Sequence, residues 1–450
     1  MTKDFIEYIK KLIEQKDSVL LQEKISKLHP ADIAEICLEL DIEEARFLYR
    51  QLDNEKAADA LTEMDEDMRN ELLEELPSEA IAKRFVNYMD TDDAVEIIRD
   101  MDEEKQEEVL QHIKDIEQAG DIVDLLQYDE DTAGGLMSTE MVVVNENWSM
   151  PECLKEMRSQ AEDLDDIYYV YVVDDDERLC GLFPLAKMIT SPSVSKVKHV
   201  MNTKVVSVDV DTPIDEVTTL IEKYNLVAIP VVDKINRLVG QITVDDIMDE
   251  VREQTEHDQQ LTAGLTQDVE TSDSVFFQTK ARLPWLIIGM LGGICSSLLL
   301  DSFTNTLGAH PEMALFIPLL AGMGGNVGTQ SSAIAVQGLA NNSLNSNHIF
   351  RHILKELAVA LVNATILSLM VYVYNFIMYD AYNIVTLAVP ISLFVVVLFA
   401  SAFGTMIPMV LERMDINPAV ATGPFIQIIN DLSGMTFYMI ISMILSQMMT

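Results

Sequence analysis

Basic residues are scarce in this 450-residue chain, and their scarcity excludes several classes of ligand. The sequence has 31 Lys and Arg residues against 74 Asp and Glu residues, which gives a formal net charge of −43 at pH 7. A surface of that charge repels nucleic acids and anionic lipid headgroups, so we expect it to bind neither. Most of the carboxylates are expected to form a solvated surface, and a subset of them is expected to bind divalent cations.

Cysteine is scarce as well. The chain has four cysteines, and none of them is part of a CxxC pair: Cys37, Cys153, Cys180 and Cys295. This pattern predicts reduced, structural thiols rather than a zinc site. The abundant ligand atom is carboxylate oxygen, which Mg2+ and Ca2+ prefer. A cleavable signal peptide is not expected either, because residues 1–21 carry charges throughout.

Charged residues of both signs become rare after residue 283. The segment 284–450 contains five apolar stretches, at 284–300, 313–339, 357–378, 384–411 and 423–449. Since about 20 helical residues cross the ~30 Å of hydrocarbon, these stretches predict a five-span helical membrane domain at 283–450. The few Lys and Arg residues of this half favour a multi-pass protein of the cell inner membrane with a cytoplasmic N-terminus and its C-terminus outside.

One ionisable residue, Asp431, interrupts the last apolar stretch. A carboxylate at the centre of a membrane span costs roughly 2.5–3.5 kcal/mol, which a wet pathway holding a cation offsets. Asp431 therefore predicts a route for cations, with Gln427 and Asn430 able to hydrogen-bond the water around the ion. Asn326 is expected to line the same route, because a polar amide among glycines needs a partner in lipid. Packing alone would explain the glycines themselves, which are Gly322, Gly324, Gly325 and Gly328.

The acidic N-terminal segment repeats itself every 12 or 13 residues. Each repeat has a large apolar residue followed by a polar or turn signal, at Leu28, Leu40, Leu52, Met64, Leu76, Met89 and Met101. The phrases LHPADIAEICLEL and LDNEKAADALTEM show apolar residues at helical spacing after an opening Pro or Asp. The pattern predicts one short helix per repeat, stacked into an all-α superhelical domain over residues 1–130.

A second repeat follows, with a predicted period of 64. The phrase MSTEMVVV from Met137 matches MNTKVVSV from Met201, and the following strands also match. This layout resembles a tandem pair of CBS domains, each a βαββα unit, at 131–200 and 201–250. Thr243 and Asp246 stand in the T-x-x-D spacing of a CBS nucleotide site, which would bind an adenine nucleotide. The same spacing also fits a simple helix cap.

The order of segments resembles the MgtE family of magnesium channels across essentially the full chain. It comprises the acidic helical domain, the CBS pair, a charged connecting helix at 251–282 and the membrane domain. Two motifs carry the resemblance, PLLAGMGGNVGTQSS at 318–332 and NPAVATGPFIQIINDLSG at 417–434. The resemblance implies a homodimer with a central pore, Asp431 as the pore carboxylate, and no enzymatic activity.

The resemblance also implies that cytoplasmic Mg2+ is both substrate and regulator. The residues that would sense it are Asp59, Asp92, Glu96, the carbonyl of Gly135, Asp215, Asp246, Asp249 and Asp258. A cation shared by separate domains would draw them together and close the pore. Asn225 and Asn417 carry amides where relatives often place a carboxylate, so ion sites there are expected to be weaker or shifted.

Two other functions remain open at this point. The first is transport of another divalent cation, such as Co2+ or Ca2+, on the same scaffold. The second is an intramembrane aspartyl enzyme, which would need two carboxylates that share a proton, whereas the apolar stretches supply one per chain. Influx itself needs no ATPase motif, because a divalent ion gains about 4.6 kcal/mol on entering an interior at −100 mV.

Overall fold

The computed structural model describes most of the chain as two compact units, Met1–Glu250 and Val251–Thr450. The described residues are 2–64, 66–74, 76–161, 164, 167–269, 273–340, 349–379, 383–414, 416–421 and 423–449.

A run of short helices opens the first unit. Their bounds are α1 Lys3–Glu14, α2 Ser18–Ile25, α3 Pro30–Cys37, α4 Ile42–Tyr49, α5 Asn54–Thr62, α6 Glu66–Glu74, α7 Ser78–Arg84, α8 Thr91–Arg99, α9 Glu103–His112 and α10 Ile116–Leu125. From α3 to α9, each helix begins two residues after one of the seven predicted apolar positions, so the repeat is confirmed. The residue between the apolar position and the first residue of the helix often caps the helix. Asp41, Asp53 and Asp102 each accept a backbone N–H three residues ahead, at 2.9 to 3.0 Å.

Two similar α/β halves follow and confirm the paired CBS arrangement. The elements of the first half are α11 Ala133–Leu136, β1 Val142–Asn145, α12 Met150–Gln160, β2 Tyr169–Val173, β3 Leu179–Pro184 and α13 Leu185–Thr190. Those of the second are β4 Val208–Asp209, α14 Ile214–Tyr224, β5 Ala228–Val232, β6 Leu238–Thr243 and α15 Val244–Ala263. In each half the first strand pairs in parallel with the second, which pairs antiparallel with the third.

The predicted period of 64 holds only for the first part of each half. Helix α14 begins 64 residues after α12, whereas β5 and β6 begin 59 residues after β2 and β3. The difference arises because eight residues join α12 to β2 and only three join α14 to β5. Asn225 makes the short connection by ending α14 with a φ of 50°, and Leu226 N–H donates to Ile221 O at 3.1 Å. Asparagine tolerates this left-handed conformation, so Asn225 has a backbone role.

The prediction of a single connecting helix at 251–282 is wrong. Helix α15 ends at Ala263, and the next helix in the described part, α16, spans Val275–Ser302. Gly264 terminates α15 because it has a φ of 85°. Its N–H donates to Leu261 O and the N–H of Leu265 donates to Gln260 O, both at 3.0 Å, which is the Schellman pattern of a helix end.

Helices, most of them long, make up the rest of the second unit. After α16 they are α17 Thr304–Ala309, α18 Ile317–Ala340, α19 Ile349–Met378, α20 Ile384–Glu412 and α21 Pro424–Met449. Within the described residues, α16, α19, α20 and α21 are long and apolar enough to cross a membrane. Helix α18 has 24 residues but is rich in Gly, Ser, Asn and Gln, and it is not among these four. The count of five spans therefore stays a prediction.

Helix α20 is the buried centre of this unit. Its residues Val385, Val389, Leu393 and Val397 are at most 1% exposed and form one cluster with side chains of the neighbouring helices. Helices α18 and α19 both pack extensively against α20, and α21 packs against α18 and α20. This arrangement places the glycine-rich helix α18 beside the helix that carries Asp431.

Candidate functional site

Asp431 lies on α21 beside a glycine of α18. A Cβ atom added to Gly325 would lie 3.3 Å from Asp431 Oδ1 and 3.3 Å from Gln427 Cγ, so the absence of a side chain leaves room for both. Asp431 is partly exposed and forms no ion pair with any residue in the described ranges. A carboxylate in an apolar helix without a basic partner is the arrangement that the sequence predicts for a cation route.

The neighbouring Asn430 is a buried amide with unused hydrogen-bonding capacity. Its side chain is 1% exposed, and neither Oδ1 nor Nδ2 has a hydrogen-bond partner among the described residues. The amide packs onto Gly328 of α18, where a Cβ would overlap it. A buried polar group without a partner costs about 1–3 kcal/mol, so this amide is suited to hold water or a hydrated ligand beside Asp431.

Glycines bring the helices around Asp431 into close contact. A Cβ on Gly324 would lie 3.2 Å from the backbone oxygen of Asn430, and a Cβ on Gly404 of α20 would overlap the carbonyl oxygen of Gly328. Apart from its own helix backbone, no atom of the described residues lies within 4 Å of the position that a Cβ on Gly322 would occupy, so close packing is seen at three of the four predicted glycines. Small residues at helix crossings are the usual means of association in lipid.

Asn326, the predicted pore-lining amide, lies on an exposed face of α18. Gly322, Gln330 and Gln337 are also exposed on this helix. Together with Asn326 they occupy positions 322, 326, 330 and 337, which are separated by four, four and seven residues. Successive spacings of three, four or seven place residues on one side of a helix. This polar face of a largely apolar helix is uncovered in the single chain.

The first unit contains a group of carboxylates that influence one another. We call eight of these carboxylates the acidic group: Asp92, Asp93, Glu96, Glu140, Asp215, Asp246, Asp249 and Glu250. Burial, followed by the charges of neighbouring carboxylates, raises the pKa of Asp93 to about 7 and that of Asp92 well above its usual range. Burial also raises the pKa values of Asp246 and Glu250. Crowded carboxylates of this kind are suited to bind a cation.

Five of the eight predicted sensor residues belong to the acidic group: Asp92, Glu96, Asp215, Asp246 and Asp249. Asp59 lies elsewhere, on α5, and Gly135 lies on α11. Within the described residues, no three His, Cys, Asp or Glu side chains are close enough to enclose a metal ion. Glu96 is also paired with the Arg69 guanidinium at 2.6 Å, so a cation that bound Glu96 would compete with Arg69.

Two predicted residues are already hydrogen-bonded. The Asp246 carboxylate accepts the backbone N–H of Thr243 at 2.9 Å and its hydroxyl at 2.6 Å, which is the helix-capping alternative for this pair. In the second unit, Asn417 Nδ2 donates to Asp258 Oδ1 at 2.8 Å. The Asn417 amide therefore supplies a hydrogen-bond donor to the Asp258 carboxylate, and this contact needs no cation.

Sequence reasoning missed three members of the acidic group, Asp93, Glu140 and Glu250. Asp93 could have been found from its position next to Asp92. Glu140 had no local signal, because the residue that it caps, Thr91, is 49 positions earlier in the chain. Its carboxylate accepts the backbone N–H of Thr91 at 3.1 Å and the Thr91 hydroxyl at 2.7 Å, and so caps α8.

The raised pKa values predict how stability depends on pH. A carboxyl whose pKa is higher in the folded chain binds more protons when folded, so the free energy of unfolding falls as pH rises from about 4 to about 7. We expect the first unit of the full-length protein to melt at a higher temperature at pH 5.5 than at pH 7.5 in the presence of EDTA. Millimolar Mg2+ should reduce this difference. An unchanged or opposite pH dependence in EDTA would contradict the prediction.

Models of known protein families match residues in both units. The MgtE model, described as a divalent cation transporter, matches residues 317–441, and the MgtE intracellular N domain model matches 28–131. The CBS domain model matches 133–191 and 197–253. The magnesium transporter MgtE of Thermus thermophilus is 35% identical over 328 residues, which cover 71% of each chain. The chain belongs to the MgtE family.

Other members of the MgtE family agree with this result. The magnesium transporter MgtE of Bacillus subtilis is 31% identical over 314 residues, which cover 70% of this chain and 69% of the relative. A crystal structure described as the cytosolic domain of the Mg2+ channel MgtE in complex with ATP matches with a TM-score of 0.51 and 32% identity. That match covers 54% of this chain and 99% of the other. These relatives are named as transporters or channels, which confirms that the chain is not an enzyme.

Proposed function

We propose that this chain is a homodimeric channel for Mg2+ influx across the cell membrane. The observation that carries the proposal is Asp431, a carboxylate on an apolar helix with no basic partner among the described residues. A cation compensates such a charge, and the Thermus and Bacillus relatives are named magnesium transporters. The N-terminus and CBS domains face the cytoplasm and the C-terminus faces outward in this proposal.

The polar environment of Asp431 suits a hydrated ion. Mg2+ loses its water reluctantly and is usually bound by one or two carboxylates together with several waters. Two Asp431 side chains on a dimer axis would supply those carboxylates. The Asn430 amide, which has no partner in the described chain, and the exposed Gln427 would hydrogen-bond the water shell.

The exposed face of α18 supports the dimer. Asn326, Gln330 and Gln337 would face hydrocarbon if the chain were a monomer, and amides are costly there. A second copy, with a wet pore between the two, would remove them from lipid. Asn326 would then line the pore, as the sequence predicts.

The acidic group supports regulation by cytoplasmic Mg2+. Its carboxylates repel one another when no cation is present, and burial together with that repulsion raises the pKa values of Asp92 and Asp93. Mg2+ would favour the compact arrangement by its higher affinity for that state, and by linkage the compact arrangement would favour the closed pore. Asp59 and Gly135 would complete the sensor of the first unit, and Asp258 stays a predicted sensor residue of the second unit.

A protease experiment tests the sensor. We expect millimolar Mg2+ to slow trypsin cleavage of the cytoplasmic part of the full-length protein by several-fold, because a bound ion reduces local opening. Asp92→Asn combined with Asp246→Asn should lose most of this protection. Asp32→Asn, which changes an acid of α3 outside the acidic group, is the control. Equal cleavage rates with and without Mg2+ would refute the sensor.

Metal uptake into vesicles that contain the purified protein tests the transport proposal. Wild-type protein should admit Mg2+ when the interior is negative, without ATP. Co2+ or Ca2+ transport is the second candidate, because the family model is described more broadly as a divalent cation transporter. Preferential uptake of one of those ions, with Mg2+ as a weak competitor, would favour the second candidate.

An adenine nucleotide remains part of the proposal for the CBS pair. The support is the related cytosolic domain, whose structure is described as a complex with ATP. In this chain Thr243 and Asp246 form a helix cap with each other, and the Asp246 carboxylate could still interact with a nucleotide through its other oxygen.

A further inference from the structure

A second carboxylate lies within the helices of the second unit. Glu356 is on α19, immediately before the third apolar stretch of the sequence. Its Oε1 atom accepts a hydrogen bond from Ser331 Oγ of α18 at 2.8 Å and another from Ser401 Oγ of α20 at 3.2 Å. The two serine oxygens are 3.0 Å apart. We call these three residues the Ser–Glu cluster, and it joins three helices.

The two hydroxyls of the cluster are removed from solvent. Ser331 is 4% exposed and Ser401 is 1% exposed, so neither can readily exchange its partner for water. Glu356 forms no ion pair with a basic residue in the described ranges. The observed contacts therefore use the carboxylate as a hydrogen-bond acceptor, which two buried donors require.

A series of contacts connects this cluster to Asp431. Ser331 is three residues after Gly328 on α18, and Ser401 is three residues before Gly404 on α20, so both lie about one helical turn from the Gly328–Gly404 contact. Gly328 also contacts the Asn430 amide, which precedes Asp431. A shift of α18 relative to α20 would therefore displace the surface on which Asn430 rests.

We infer that Glu356 is a positioning residue for the ion site at Asp431. By accepting from Ser331 and Ser401, it fixes α18 against α20 one turn from the contact that seats Asn430. It acts through the acceptor oxygen and not through its charge. The inference rests on the proposed function, because it assigns Glu356 a role in the transport of Mg2+.

The test is Mg2+ uptake by the full-length protein in vesicles, with rates divided by the amount of inserted protein. Glu356→Gln keeps an acceptor oxygen, so its half-saturating Mg2+ concentration should stay within about twofold of wild type. Glu356→Ala should raise that concentration about tenfold, because misplacing a site by a fraction of an ångström weakens it. Ser401→Ala should change it in the same direction by a smaller factor. Ser297→Ala is the control, because among the described residues that hydroxyl donates only to Gly293 O of its own helix.

Coupling between the variants provides a second measurement. Ser331→Ala and Ser401→Ala together should add little to Glu356→Ala, because all three changes remove the same interaction. If Glu356→Gln is as impaired as Glu356→Ala, the charge is used directly and the positioning role is overturned. If Glu356→Ala and Ser401→Ala change only melting temperature or protein yield, the role is structural and the inference is overturned. Lack of uptake by wild type would instead refute the proposed function.

Discussion

Asp431→Asn is expected to lower Mg2+ uptake into vesicles by more than about a hundredfold. A carboxylate about 5 Å from a divalent ion contributes an attraction on the order of several kcal/mol at an effective dielectric constant of ~20, and a dimer would lose two such carboxylates. The amide is nearly isosteric and fits the same space beside Gly325, so folding should be preserved. The measurement is the initial rate of Mg2+ influx per reconstituted protein at a fixed membrane potential.

The matched control is Asp301→Asn. Asp301 lies near the end of α16 and is exposed, so this variant removes the same charge without touching the Asp431 site. It should retain most of the wild-type rate. Uptake by Asp431→Asn at half the wild-type rate or more, with normal melting behaviour, would refute Asp431 as the pore carboxylate.

Gly404→Ala should lower the stability of the second unit. The new methyl group would overlap the carbonyl oxygen of Gly328, and a backbone atom in a packed helix cannot turn aside as a flexible side chain can. Forcing α18 and α20 apart is expected to cost about 1–3 kcal/mol. It should also reduce Mg2+ uptake, because Gly328 supports Asn430. The measurements are the melting temperature in detergent and the uptake rate of the inserted protein.

Gly289→Ala is the control for this experiment. Gly289 is in the interior of α16, and in the described part of the chain no atom beyond its own helix backbone lies within 4 Å of the position that its Cβ would occupy. Alanine is favoured over glycine in a helix by about 1 kcal/mol, so this variant should be neutral or slightly more stable. Equal melting temperatures for Gly404→Ala and wild type would show that the α18–α20 contact is not tight.

The repeats could be predicted from sequence because their signals are local. An apolar residue followed by a short amphipathic stretch marks each helix from α3 to α9, often with an acidic cap between them, and all seven predicted positions precede a helix by two residues. The predictions that failed concern helix ends and connections, which depend on only a few residues. Gly264 ended a helix that was expected to continue, and the short connection at Asn225 changed a repeat of 64 into one of 59.

The candidate sites were predictable only in part. Asp431 was identifiable because a single carboxylate in an apolar stretch has no local explanation. The capping bonds that Thr91 donates to Glu140, the Arg69–Glu96 ion pair and the Ser–Glu cluster were not, because their partners are far apart in sequence.

The sequence by itself determined the family, the three kinds of domain and the position of Asp431 as the one ionisable residue of the last apolar stretch. These features depend on composition, periodicity and motifs that are read along the chain. Only the tertiary structure decided which helices meet around Asp431 and which carboxylates raise one another's pKa values in the acidic group. It also decided at which glycines a neighbouring backbone occupies the space of a side chain. Such contacts join residues that are tens to more than a hundred positions apart, and packing alone brings them together.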